Sequence, residues 1–85
     1  MFYQLCSLFD SKAETFSPVQ AVPNVNAFVR MLGDMINSPP KPDSEAWVLH
    51  PEDFSLYVLG TQSDADGTLF SNINKFCELH SLVRS

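Results

Sequence analysis

Hydrophobic and polar positions along the chain change period several times, and each change predicts an element. Residues 2–9, FYQLCSLF, are rich in aromatic and apolar side chains and run into DSKA. Asp10 and Ser11 are turn formers that bond their own backbone, so this reads as a first strand and a turn. In the following segment, ETFSPVQAV, Phe16, Val19 and Val22 stand among polar residues. Pro18 cannot donate a ladder hydrogen bond, which predicts an irregular second strand at an edge or a bulge. After Pro23 the spacing becomes helical: Val25, Phe28, Val29, Leu32, Met35 and Ile36 make one broad apolar face behind Asn24, a good N-cap. A helix over 24–37 is expected, with Gly33 inside it at a cost of about 1 kcal/mol relative to Ala. Asn37 and Ser38 fray its end before Pro39-Pro40 forbids continuation.

Ser38 to Glu45, SPPKPDSE, reads as an exposed extended loop. Beyond it, Trp47 with Val48 or Leu49 should pack. Phe54, Leu56 and Val58 then alternate with Ser55, Tyr57 and Leu59 in a strand that is apolar on both faces, as a central strand is. Asp66-Gly67 predicts a hairpin turn, followed by a short strand at Thr68 to Phe70. Ser71 or Asn72 can cap a final short helix carrying Ile73, Phe76, Cys77, Leu79 and His80, with Arg84 near its end. The expected fold is α+β: a small antiparallel sheet of about four strands, one main amphipathic helix packed on it and a short C-terminal helix, in a single domain spanning 1–85.

Composition agrees with a folded chain. Hydrophobic residues make up 45% of it and seven are Phe, which is ample for a core. At 85 residues the buried fraction is modest, and such chains gain stability from dimerisation or ligands. With the edge expected at the Pro18 strand, a homodimer is the candidate assembly. Five basic residues against ten acidic ones give a formal charge of −5, whereas autonomous nucleic-acid binders usually present a basic face. Any such face has to be assembled by the fold from scattered cations. Nothing resembles a signal peptide, and no apolar stretch approaches transmembrane length. With two cysteines in apolar segments, the expectation is a cytoplasmic protein without a membrane role.

The chemical motifs are weak. His50-Pro51-Glu52-Asp53 offers three metal-ligand types, but structural zinc needs four converging groups, and His80 and the cysteines lie in other elements. The residues have structural explanations instead: Pro51 keeps His50 extended, and Glu52-Asp53 forms a polar turn that bonds nearby backbone N–H groups. Aligning Gly67 with the glycine of a calcium loop puts Gln62 at the first ligand position and Ile73 where a bidentate Glu belongs, so that register fails. Cys6 and Cys77 have no expected activating base, and no Gly-rich phosphate loop or G-x-S-x-G elbow occurs. No enzyme and no cofactor are expected. Aromatic strands can present stacking platforms to nucleic-acid bases. Tyr3 and Tyr57, whose hydroxyls tolerate water, are the candidate stacking residues, with Lys12 and Arg30 as candidate phosphate contacts.

Three segments carry a resemblance: MFYQLCSLFDSKAETFSPV, PNVNAFVRML and HPEDFSLYVLGTQSDADG. Together they resemble the small nonstructural proteins of gokushoviruses, single-stranded DNA phages of the Microviridae. Those proteins read as a strand ending in F-D-S-K-A, an N-x-x-A-x-R segment opening a helix, and H-P-E-D-[FY]-x-L-[FY] before G-[ST] and an acidic turn. The likeness covers about residues 1–70 and departs at Arg30, three rather than two after Ala27, and at the proline-rich segment 38–45. The resemblance implies a protein of phage DNA synthesis, acting in the shift to single-strand production for packaging, in the host cytoplasm and outside the virion. It supplies no catalytic residue. The implied partner is single-stranded DNA; the alternative is an acidic adaptor that binds the phage initiator or a host replication factor.

Overall fold

The computed structural model describes residues 1–84. In chain order its elements are β1 (Phe2–Asp10), β2 (Thr15–Phe16), β3 (Gln20–Val22), α1 (Val25–Ile36), α2 (Ala46–Leu49), a 3-10 turn at Pro51–Asp53, β4 (Phe54–Ser63), β5 (Leu69–Glu78) and a 3-10 turn at Leu79–Leu82. The strands form one antiparallel sheet in the order β2-β1-β4-β5, with β3 pairing β1 beside β2. The fold is α+β, as the pattern of the chain predicts.

Five strands replace the expected four because Pro18 divides the second one. β2 pairs with Phe9 and Asp10, β3 with Gln4, Leu5 and Cys6, and the ladder is interrupted between them. Ser17 fills the gap. Its backbone N–H donates to the Leu8 carbonyl at 2.8 Å, and its Oγ accepts from the Leu8 N–H at 2.9 Å.

The C-terminal segment differs more. Ile73, Phe76 and Cys77 lie in β5, which runs on to Glu78, and the helical part shrinks to the single 3-10 turn at Leu79–Leu82. Apolar spacing in 71–80 is compatible with a helix, yet Asn72, Ile73 and Asn74 are weak helix formers. The far edge of the ten-residue β4 presents a row of backbone donors and acceptors that pairing satisfies. The strand accommodates its helix-like spacing through register shifts opposite Leu56/Tyr57 and Val58/Gly60, where extra residues are looped into bulges.

α1 forms where its caps allow. Asn24 Oδ1 accepts from the N–H groups of Asn26 at 2.9 Å and Ala27 at 3.3 Å. At the other end Asn37 does not fray. Its Nδ2 donates to the carbonyls of Gly33 at 2.6 Å and Leu82 at 2.9 Å, and its Oδ1 accepts from the Arg84 N–H at 2.7 Å. Arg84 also reaches back to Asp34 at 2.8 Å. The C-terminal segment is thereby strapped over Gly33, where a Cβ would meet Leu82 and Arg84 only at ordinary contact distances, 3.8 and 3.7 Å. Gly33 is thus tolerated rather than required.

The core lies between α1 and one face of the sheet. Cys6, Val22, Val25, Leu32, Leu56 and Leu79 are its buried members, with Leu8, Phe28, Val58, Trp47 and Cys77 packed around them. Trp47 and Val48 are half-buried and Leu49 is exposed, and the loop from Ser38 to Glu45 is mostly exposed, as expected. The Asp66-Gly67 turn also forms: Gly67 takes φ 78°, a left-handed conformation that a glycine adopts without cost, and Asp66 Oδ1 accepts from the Thr68 N–H at 3.0 Å.

Leu56→Ala should lower unfolding free energy by about 2–5 kcal/mol, because it opens a cavity at a fully buried site. Asn37→Ala, which strips the Leu82 carbonyl and the Arg84 N–H of their partner while the Asn37 backbone N–H still serves the Gly33 carbonyl, should cost about 1–2 kcal/mol. Urea denaturation followed by circular dichroism reads both, and a change below about 0.5 kcal/mol for Leu56→Ala would contradict the packing described.

Candidate functional site

α1 covers one face of the sheet only. Along β1, Cys6 and Leu8 point into the core, so alternation places Tyr3, Leu5, Ser7 and Phe9 on the opposite face. Register then extends that face across the sheet. Ser7 stands beside Tyr57 and Tyr57 beside Lys75; Phe16 stands beside Phe9, Phe9 beside Ser55 and Ser55 beside Glu78. Three rings gather there. The Phe9 and Phe16 centroids are 4.8 Å apart, Phe16 and Tyr57 5.2 Å, and Phe9 and Tyr57 6.1 Å, the two Tyr57 contacts being edge-on. These separations match favourable aromatic pairs. Phe16 remains 47% exposed, and none of the three rings belongs to the core on the helix side.

Polar groups frame the cluster. Ser7 Oγ donates to the Ser17 carbonyl at 2.7 Å, which anchors the β2 side. Lys75 forms an ion pair with Glu78, and Glu78 Oε2 accepts from Ser55 Oγ at 2.7 Å. The Lys75 ammonium, followed by the Ser55 hydroxyl, holds the Glu78 carboxyl below its ordinary range, and the same contact raises Lys75. Lys12 lies exposed in the turn joining β1 to β2, the strands that carry Phe9 and Phe16; that turn is capped by Asp10 Oδ1, which accepts from the N–H groups of Lys12 at 2.9 Å and Ala13 at 3.2 Å.

Of the four residues singled out from the sequence, Tyr3 and Tyr57 thus share one face, four residues or roughly 13 Å apart along β1. Lys12 sits at the end of that face near Phe9. Arg30 does not join them: it is exposed on α1, across the sheet. Phe9, Phe16 and Lys75 complete the cluster. Phe9 was legible from its odd-numbered spacing with Tyr3, whereas Lys75 is hidden by the helical spacing of its segment.

The His50 segment takes the structural role expected, by a different atom. The Asp53 backbone carbonyl, not a carboxylate, accepts from both the N–H and the Oγ of Ser11, each at 2.9 Å. His50 Nδ1 lies 3.6 Å from Glu52 Oε1, both side chains being 62% exposed. Among the described residues, no three His, Cys, Asp or Glu side chains are grouped to hold a metal, and no helix is long and apolar enough to cross a membrane. Cys6 and Cys77 belong to the core side, where burial pushes both thiols up and disfavours the nucleophilic thiolate. What the open face can do is stack planar groups on its rings beside two lysines.

The protein is thus a small α+β fold in which one main helix covers one face of a five-stranded antiparallel sheet and an aromatic cluster lies on the other. The family model described as Phage ORF5 protein matches residues 3–81, and the chain belongs to that phage protein family. No curated protein and no solved structure matches it.

The Glu78 contacts set a pH dependence. A carboxyl held low in the fold stabilises it above the ordinary carboxylate value, and that contribution is lost as pH falls through the lowered value. Wild type should therefore exceed Glu78→Gln in urea midpoint at pH 7, and the gap should close as pH falls below about 4. No gap at pH 7, or a gap that widens as the solution is acidified, would contradict the ion pair.

Proposed function

We propose that the protein is a non-enzymatic phage protein of viral DNA synthesis, the role its resemblance to gokushovirus proteins implies, and that it binds single-stranded DNA on the open face of its sheet. The observation that carries this reading is the Phe9, Phe16 and Tyr57 cluster on the face that α1 leaves bare, with Lys75 beside Tyr57 in register and Lys12 at its end. Every base has a π face, so such a surface takes single strands with little regard to sequence, and stacking contributes about 1–3 kcal/mol per base. The rings supply most of the interaction; Lys12, with a Lys75 already paired to Glu78, supplies a weak electrostatic part. That division suits a chain of charge −5, since binding led by phosphate contacts needs more cations than this face has. Bound to nascent single strands in the host cytoplasm, it would keep them from duplex synthesis until packaging.

A second reading has its own observation. A groove of about 360 Å³ lies between α1 and the β1 edge, lined in part by Met31, Met35, Phe28 and Trp47. Together with the acidic charge, that apolar groove favours an adaptor that grips a replication protein, because methionine-rich surfaces repack to fit partners.

Fluorescence anisotropy with labelled oligo-dT at two salt concentrations tests the DNA reading. Binding is expected at low salt, with affinity lowered about 5- to 150-fold by Tyr57→Ala. Lys12→Ala should reduce the salt slope by roughly 0.7, and Arg30→Ala, across the sheet, should leave both unchanged. No affinity even at low salt would sink direct DNA binding and leave the adaptor.

A further inference from the structure

The outer edge of β5 is the end of the sheet, with no strand beyond it among the described residues. A ten-residue edge strand normally carries protection such as prolines, several charges, bulges or brevity, and of these β5 has only its bulges. β5 has ten residues, no proline and only Lys75 and Glu78 as charges, and these neutralise each other. Its apolar side chains are bare instead: Leu69 is 66% exposed, Phe70 52%, Ile73 64% and Phe76 43%. Ile73 and Phe76 stand at the register shifts and have no partner residue on β4.

The order of these residues says what would cover them. Phe70-Ser71-Asn72-Ile73-Asn74-Lys75-Phe76 reads nearly the same in both directions about Ile73. A two-fold interface requires that a residue meeting another be met by it in return, and an antiparallel pair of identical strands centred on Ile73 does this. We propose that two copies of the chain pair through β5 about a two-fold axis at Ile73. Phe70 of each copy then meets Phe76 of the other, Asn72 meets Asn74, Ser71 meets Lys75, and Ile73 meets itself. Cross-strand aromatic and apolar pairs are favourable, and no like charges are set opposite one another.

Charge distribution supports a second copy over a different partner. The chain repels itself at −5, but of its ten acidic residues only Glu78 lies on β5. This edge is therefore where two acidic copies approach at least cost. Four half-exposed phenylalanines and two copies each of Leu69 and Ile73, with the adjoining backbone, bury on the order of 1,000 Å², the lower end for a specific interface. The association is accordingly concentration-dependent. The axis runs perpendicular to the sheet, so the joined sheet carries both open aromatic faces on one side. The pairing itself does not depend on what those faces bind.

Sedimentation velocity of the full chain over about two decades of concentration tests the pairing. Wild type should pass from monomer to dimer. Ile73→Lys sets two ammonium groups against each other on the axis and should remain monomeric throughout, with circular dichroism unchanged and melting unchanged at concentrations where wild type is monomeric, because Ile73 is exposed. Ser71→Glu, placed against Lys75 of the second copy at two equivalent positions, should tighten the dimer about threefold or more at low salt. A wild-type chain that stays monomeric, or a dimer that survives Ile73→Lys, would overturn the proposal; a Ser71→Glu dimer no tighter than wild type would overturn the register.

Discussion

One twelve-residue helix faces a five-stranded sheet, and the rest of the structure follows from that shortage of cover. A helix of this length spans about 18 Å and shields one side of a sheet. Leu56 and Leu32 are fully enclosed on that side. The other side must find its stability without a second layer. It does so with rings stacked edge to face, with serines that bond backbone and with the Lys75–Glu78 pair. Side chains that hold a bare face together are also the side chains that a ligand on that face would meet first.

Two short ties keep the single layer in register. Ser11 bonds the Asp53 carbonyl twice and so joins the turn after β1 to the entry of β4. The segments FDSKA and HPED, far apart in the chain, are the two ends of that contact. Each positions the other through this contact, which gives both segments a structural role. The second tie is Asn37, which closes α1 and holds the C-terminal segment against it. Gly60 completes the arrangement. It sits at the register shifts on both sides of β4, and a Cβ there would collide with the Phe70 carbonyl.

Elements with one unambiguous signal were legible in the sequence. Asn24 and the apolar face behind it predicted α1, Pro18 the break in the second strand, and Asp66-Gly67 the last turn. The segment after Phe70 was not legible, because its apolar spacing suits a helix as well as a bulged strand, and pairing with β4 decided between them. That ambiguity hid Lys75 from the candidate site. Tyr3 and Tyr57 were identified by their hydroxyls, and their shared face follows from alternation once β1 and β4 are known to pair. That Arg30 stands apart from the tyrosines was not legible, because which side of the sheet the helix covers has no signal in local sequence.

The central claim is that the bare face of the sheet, rather than the helix side, is the working surface. Amide chemical-shift mapping of the labelled protein with oligo-dT added at low salt tests it most directly. The account predicts shifts concentrated at Phe9, Lys12, Phe16, Tyr57 and Lys75, with the exposed side of α1 around Arg30 unmoved. Shifts centred on Met31, Met35 and Trp47, or none at all, would contradict it.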